Sequence, residues 1–273
     1  MAQNYATKYQ SKIAERFSIG SVTNSAAGNE YSFVGAKTIV VQSIDVVALN
    51  DFNREAASNR FGAVANLGNT KQELTMTQDK SFVFAIDAGD ASDTAIEMSA
   101  GKALRREIDE VVVPTLDKYR LSAWASKGTQ FTISGGLDPE SIYEQILLAN
   151  AEMTDGLVPT ANRTIYLPTS NFVLLKQNSA FVAADSLNKE LLTRGALGMV
   201  DGAEVKPVPS SWMPEGTAFI IKYKGATVDP VKLQNYYIRK DAQGFDGPVV
   251  EGRVYFDSFV LDTKKAGIIV GKA

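Results

Sequence analysis

TIVVQSIDVVAL (38–49) and QELTMTQDKSFVFAI (72–86) read as two strand-like arms joined by a long polar tip. The first arm is β-branched and apolar. The second alternates with a period of two. Leu74, Met76, Phe82, Phe84 and Ile86 share one face, and Thr75, Thr77 and Asp79 the other. The 21 residues from Asn50 to Thr70 hold five Asn and two Gly, with scattered charges and little to pack against. At about 3.3 Å per residue each arm reaches roughly 40 Å, too far for a lone two-stranded ribbon to be stable in water. The ribbon therefore lies either on its own chain or on a neighbouring copy.

The rest of the chain can supply a core. It has 273 residues, 45% hydrophobic and 22% charged, enough for one large domain or two modest ones. No uncharged apolar run reaches the 18 or so residues that span a bilayer, and MAQNYATKYQSK has no apolar signal core. No membrane partner and no export are expected. The chain has no Cys and no His, which removes disulfides, thiol chemistry and the commonest general base and metal ligand. No enzyme, no cofactor and no metal site are expected. A net charge of −3 gives no global basic field for tight nucleic-acid binding.

Tyr5, Tyr9, Ile13 and Phe17 at four-residue spacing suggest a short helix on an N-terminal arm, with a Ser-, Asn- and Gly-rich passage behind it. After the ribbon, Thr94 with Glu97 fits a capping box. Ile96, Ala100, Leu104, Ile108, Val112, Leu116 and Tyr119 continue as a helical stripe to about Lys127. The opposite face is charged and includes Asp117 and Arg120. Pro114 interrupts the stripe, so a kink or break is expected between Val113 and Pro114. A helix this long needs a groove or a sheet beneath it.

From Gly135 the texture becomes compact α/β. Asp138-Pro139 caps a helix bearing Ile142, Ile146, Ala149 and Met153 that Gly156 stops. Residues 163–167 and 218–223 read as buried strands, 169–177 and 185–194 as helices. Residues 249–261 and 268–270 read as returning strands. The class is α+β, with boundaries at 1–36 (arm), 37–88 (extended loop), 89–134 (long-helix unit), 135–235 (α/β unit) and 236–273 (return strands).

Little in the sequence carries chemistry. S-x-x-K occurs at Ser99/Lys102 and Ser186/Lys189, but neither S-D-N nor K-T-G accompanies it. Asp87, Asp90 and Asp93 read as turn and cap residues and not as a calcium loop. Phe52, Arg54, Arg60 and Phe61 at the ribbon tip are different. Arg and aromatic residues dominate interface hot spots, so these four form either a solvated loop or an anchor set for a partner.

The order and spacing of NYATKYQSKIAERF, LTMTQDKSFVFAIDAGD, AGKALRREIDEVVVPTLDKY, VDGAEVKPVPSSWMPEG and VEGRVYFDSFVLDTKKAGI resemble the major capsid proteins of tailed bacteriophages over nearly the whole chain. That resemblance implies the capsid fold shared with encapsulins and the herpesvirus capsid floor. Its parts are an N-arm, an extended β-hairpin loop, a peripheral domain with a long spine helix, and an α/β axial domain. It further implies a structural protein of the virion, self-assembling in the host bacterial cytoplasm into hexamers and pentamers of an icosahedral shell around double-stranded DNA. The expected partners are other copies of the chain, a separate scaffolding protein, a portal, and packaged DNA through weak, non-specific contacts. The sequence begins directly at the arm, which is why scaffolding is expected from a separate protein. Lys71, Lys80 and the loop Asn residues are expected to form no cross-link. An encapsulin-like nanocompartment is the close alternative, and a serine hydrolase using Ser99 and Lys102 the alternative of a different class.

Overall fold

The computed structural model describes residues 20–28, 31, 37–55, 57–87, 100–181, 198–239, 244 and 246–272. The arm helix, the Thr94/Glu97 capping box, Asp90, Asp93, Ser99, Ser186, Lys189 and the expected helix at 185–194 lie outside these residues.

The ribbon is β1 (Thr38–Ile44) antiparallel to β2 (Asn69–Thr75), with Thr38 opposite Thr75 and Ile44 opposite Asn69. Its second arm is two strands and not one, because pairing with β1 stops before Thr77 and β3 (Gln78–Ala85) pairs elsewhere. Asp257 Oδ2 takes the Thr77 amide at 2.7 Å and the Thr77 hydroxyl at 3.0 Å, which removes that residue from the ladder. Alternation still holds across the break, since Leu74, Met76 and Ile86 are buried and Phe82 and Phe84 half-buried.

The long helix follows as α1 (Ala100–Glu107), a π turn (Ile108–Val112) and α2 (Val113–Lys127), about 40 Å in all. The expected break at Pro114 is instead this π turn. Proline has no N–H and its ring clashes with the carbonyl four residues back. The chain widens just before it, with the Val113 amide donating to Ile108 O, five residues back. The Thr115 hydroxyl donates to Val111 O at 2.6 Å.

Then come β4 (Thr129–Thr132), α3 (Ser141–Asp155), β5 (Arg163–Pro168), α4 (Thr169–Gln177), β6 (Met199–Val200), β7 (Ala203–Val208) and β8 (Thr217–Tyr223). Asp138 caps α3 as expected, its Oδ1 accepting from the amides of Glu140 and Ser141. Those hydrogen bonds, that of Ser141 first, hold its carboxyl below the usual range. The chain closes with β9 (Thr227–Val228), β10 (Val231–Arg239), β11 (Val249–Phe256), β12 (Phe259–Val260) and β13 (Ile268–Lys272).

Among the described residues one sheet runs β4-β13-β8-β5-β7-β6, and a second β10-β11-β3. The larger sheet is covered on one face by α3 and α4, through Ile142, Ile146, Met153, Phe172 and Leu175. Its other face takes Leu121, Trp124 and Ala125 of α2. Further up, Val112, Leu116 and Tyr119 pack on Val254 and Phe256 of the smaller sheet. The helix thus bridges both sheets, supplying the surface its length requires.

Candidate functional site

The ribbon has a fixed root and an uncovered tip. At the root, Ile39, Val41, Leu74 and Met76 pack with Val228, Phe259 and Leu261. Gln72 donates to Val260 O at 3.0 Å and accepts the Asp262 amide at 3.0 Å. The tip, residues 45–68, turns on itself: Asn53 N–H donates to Arg60 O at 3.0 Å, and Gly62 N–H to Asn59 O at 2.9 Å. Asn59 and Gly62 both have positive φ, which suits Asn and Gly in a tight turn. The structure brings all four expected residues to this tip, where each is exposed. Phe52 and Phe61 meet edge to face, with ring centroids 5.0 Å apart. Along the tip Val46 is 93% exposed, Leu49 101%, Phe61 83% and Val64 96%. The tip thus presents several exposed apolar side chains on one projection, with no core of its own beneath them.

Behind the ribbon lie buried carboxylates that the sequence did not flag. Asp117, read as solvent-facing, is fully buried and Arg120 nearly so. Asp117 accepts from the Ser21 hydroxyl at 2.9 Å, the Val22 amide at 2.8 Å and the Thr23 hydroxyl, while Arg120 donates to Thr23 Oγ1 at 3.1 Å. The correction has a simple cause. Residues 20–28 are inlaid against the helix and need acceptors for their polar groups.

Asp229 continues the inlay. It accepts from the Gly28 amide at 3.0 Å, the Trp124 indole at 3.2 Å and the hydroxyls of Thr227 and Ser258. A Cβ on Gly28 would lie 1.8 Å from Thr227 O, so only glycine fits. Lys222 donates to Ala26 O, and its Nζ stands 4.4 Å from the Trp124 ring centroid. Burial pushes its ammonium down to about 8 against a partial pull from Asp229. One sequence signal was available here: Lys222 interrupts an otherwise apolar strand, TAFIIKY.

Asp257 ties the ribbon root to the long helix. Besides Thr77, it accepts the Tyr119 hydroxyl at 2.7 Å and the Ser258 amide at 2.8 Å. Burial, then that hydrogen bond, pushes the Tyr119 phenol up to about 12. Burial likewise raises Tyr166, whose ring meets that of Trp124 at a tilt, centroids 5.6 Å apart.

Of the pair Ser99 and Lys102, which the alternative hydrolase reading would use, only Lys102 falls among the described residues, exposed in the first turn of α1. Among the described residues, no three His, Cys, Asp or Glu side chains gather to hold a metal ion. No helix among them is long and apolar enough to cross a membrane.

No protein-family model and no curated protein matches this sequence. Solved structures do. A structure from Mycobacterium phage Che8 superposes with a TM-score of 0.80 at 18% identity, covering 99% of this chain and 98% of that one. The capsid of cyanophage P-SCSP1u gives 0.79 at 12% identity, covering 98% and 93%. A virus-like particle from Pyrococcus furiosus gives 0.56 at 10% identity, covering 90% of each chain. Coverage is near-complete in both directions, and the chain has the fold of the tailed-bacteriophage major capsid proteins.

Proposed function

We propose that the chain is the major capsid subunit of a tailed phage, a structural protein and not an enzyme. It forms hexamers and pentamers of an icosahedral shell that encloses double-stranded DNA. One observation carries the reading: a ribbon anchored at its root carries exposed apolar residues at a tip with no core of its own. A neighbouring copy supplies the missing surface, with Phe52, Arg54, Arg60 and Phe61 as contact residues. Obligate contacts of this kind bury roughly 2,000–5,000 Å². On this reading residues 1–36 form the arm, 37–88 the extended loop, 89–134 a peripheral unit, 135–235 an axial unit and 236–273 the strands returning to both. A scaffolding protein and a portal are its assembly partners in the host cytoplasm. DNA contact is weak and independent of sequence.

A second reading has the same architecture enclosing protein cargo, and the match to the Pyrococcus furiosus particle favours it. Its TM-score of 0.56 against 0.80 ranks it behind the phage shell.

Negative-stain electron microscopy beside sedimentation velocity tests the proposal. Shells, capsomer rings, tubes or spirals are the expected products of the purified protein. A monomer that persists under assembly-promoting conditions and in co-expression with a scaffold would overturn it. The ratio of absorbance at 260 and 280 nm of particles from infected cells then separates nucleic acid from protein content.

A further inference from the structure

We propose that Leu157 is an anchor by which this chain docks on a second copy of itself, through the loop that closes α3. The inference rests on the shell reading above and adds a contact remote in sequence from the ribbon. α3 ends in a Schellman turn, in which the Val158 amide donates to Met153 O at 3.0 Å and the Leu157 amide to Thr154 O at 3.0 Å. That turn places one residue in the left-handed region, where glycine is the usual occupant. Here Gly156 stands one position too early, with φ −74, and Leu157 takes the strained place with φ +59.

Four non-glycine residues among those described have positive φ. Three are Asn59, Asn162 and Asp201, types that tolerate it. Leu157 is the exception, and it gains nothing from its own chain in return, since it is 92% exposed. The turn uses only its backbone. A glycine would make the same hydrogen bonds without the strain, so the leucine side chain is explained by a contact outside this chain.

The loop is also held rigid. Arg163, 2% exposed, sends its guanidinium beneath it, donating to the carbonyls of Pro159 and Val158 and to Asn150 and Thr154. Asn162 O accepts the Lys224 amide at 3.2 Å on the far side. A clamped loop presents Leu157 in one orientation, so docking costs little ordering entropy.

Leu157→Gly tests the idea, because strain and contact move in opposite directions. The unassembled variant should melt a few degrees higher than wild type, since a left-handed residue no longer carries a Cβ. Its threshold concentration for assembly, read by light scattering and electron microscopy, should rise about tenfold or more as a buried leucine is lost. Leu157→Met, which keeps the apolar side chain, should assemble within a few-fold of wild type. A Leu157→Gly protein that is no more stable would overturn the strain argument. One that assembles at the wild-type threshold, with wild-type particles forming normally, would overturn the contact alone. Wild-type protein that never assembles would overturn the shell reading and this contact with it.

Discussion

Lys222 Nζ lies 3.9 Å from Asp229 Oδ2, with both side chains completely buried. Between them they hold the inlaid segment, Lys222 by Ala26 O and Asp229 by the Gly28 amide. Removing one partner of a buried pair strands the other charge. Lys222→Met should therefore destabilise the subunit by about 3–5 kcal/mol. Adding Asp229→Asn should recover part of that loss, because the stranded carboxylate goes with it. Urea denaturation of the two variants measures both effects. Equal stability of wild type and Lys222→Met would show that the pair does not hold the inlay.

The same lysine sets a pH dependence. Its folded value, about 8, lies below the ordinary 10.5, chiefly through burial, so between those values the unfolded chain binds the extra proton. Stability then rises with pH in that window, by at most about 1.4 kcal/mol per pH unit for one proton. Below about pH 8 both states are protonated and the cost of burying the charge is constant. Denaturation midpoints measured from pH 7 to 10 should climb in wild type relative to Lys222→Met. Parallel curves would assign the titration elsewhere.

Tyr119 and Asp257 couple the long helix to the ribbon root. Tyr119→Phe removes the 2.7 Å hydrogen bond and should cost about 1–2 kcal/mol. The phenol is raised to about 12 when folded, so its contribution is intact below pH 10 and is lost as pH climbs from 10 to 12. The alkaline loss should be smaller in Tyr119→Phe, with Tyr166 and Tyr236, also raised by burial, left to titrate. Asp257→Asn should act further from the site, because the Thr77 amide and hydroxyl lose their shared carboxylate. Faster amide exchange across 69–85, with α3 unchanged, is the expected signature. Uniform acceleration over the whole chain would argue for global destabilisation instead.

The sequence made the outline legible because its elements are strongly periodic. The helix at 169–177 and the strand pattern of Leu74, Met76, Phe82 and Phe84 needed no tertiary information. What stayed hidden were polar residues whose burial depends on distant partners. Asp117 and Arg120 sit on a helix face that looks solvated until residues 20–28 cover it. The division of the second arm at Thr77 depends on Asp257, 180 residues away. Gly156 drew attention as a helix stop, whereas the left-handed residue is Leu157, because cap geometry counts hydrogen bonds and not residue type. The tip residues Phe52, Arg54, Arg60 and Phe61 were legible only as exposed.

Pro114 bears on how a shell of these subunits would change size. The π turn before it is a local departure from the regular ladder, and π turns concentrate at functional positions. Beside it opens a pocket of about 90 Å³, lined by Phe82, Val111, Val112, Thr115, Leu116, Val254 and Phe256 among others. A helix with a weakened ladder beside free volume can bend there without breaking a packed core, since close-packed interiors resist such movement. Pro114→Ala restores an amide donor at the turn and removes the ring that disfavours a regular helix. The free subunit should become more stable by about 1 kcal/mol or more. Its particles should expand more slowly than wild type under the same trigger, followed by light scattering. Cryo-electron microscopy of compact and expanded particles should show a smaller change in curvature between residues 100 and 127. Identical expansion, with identical helix geometry in both states, would show that the bend lies elsewhere.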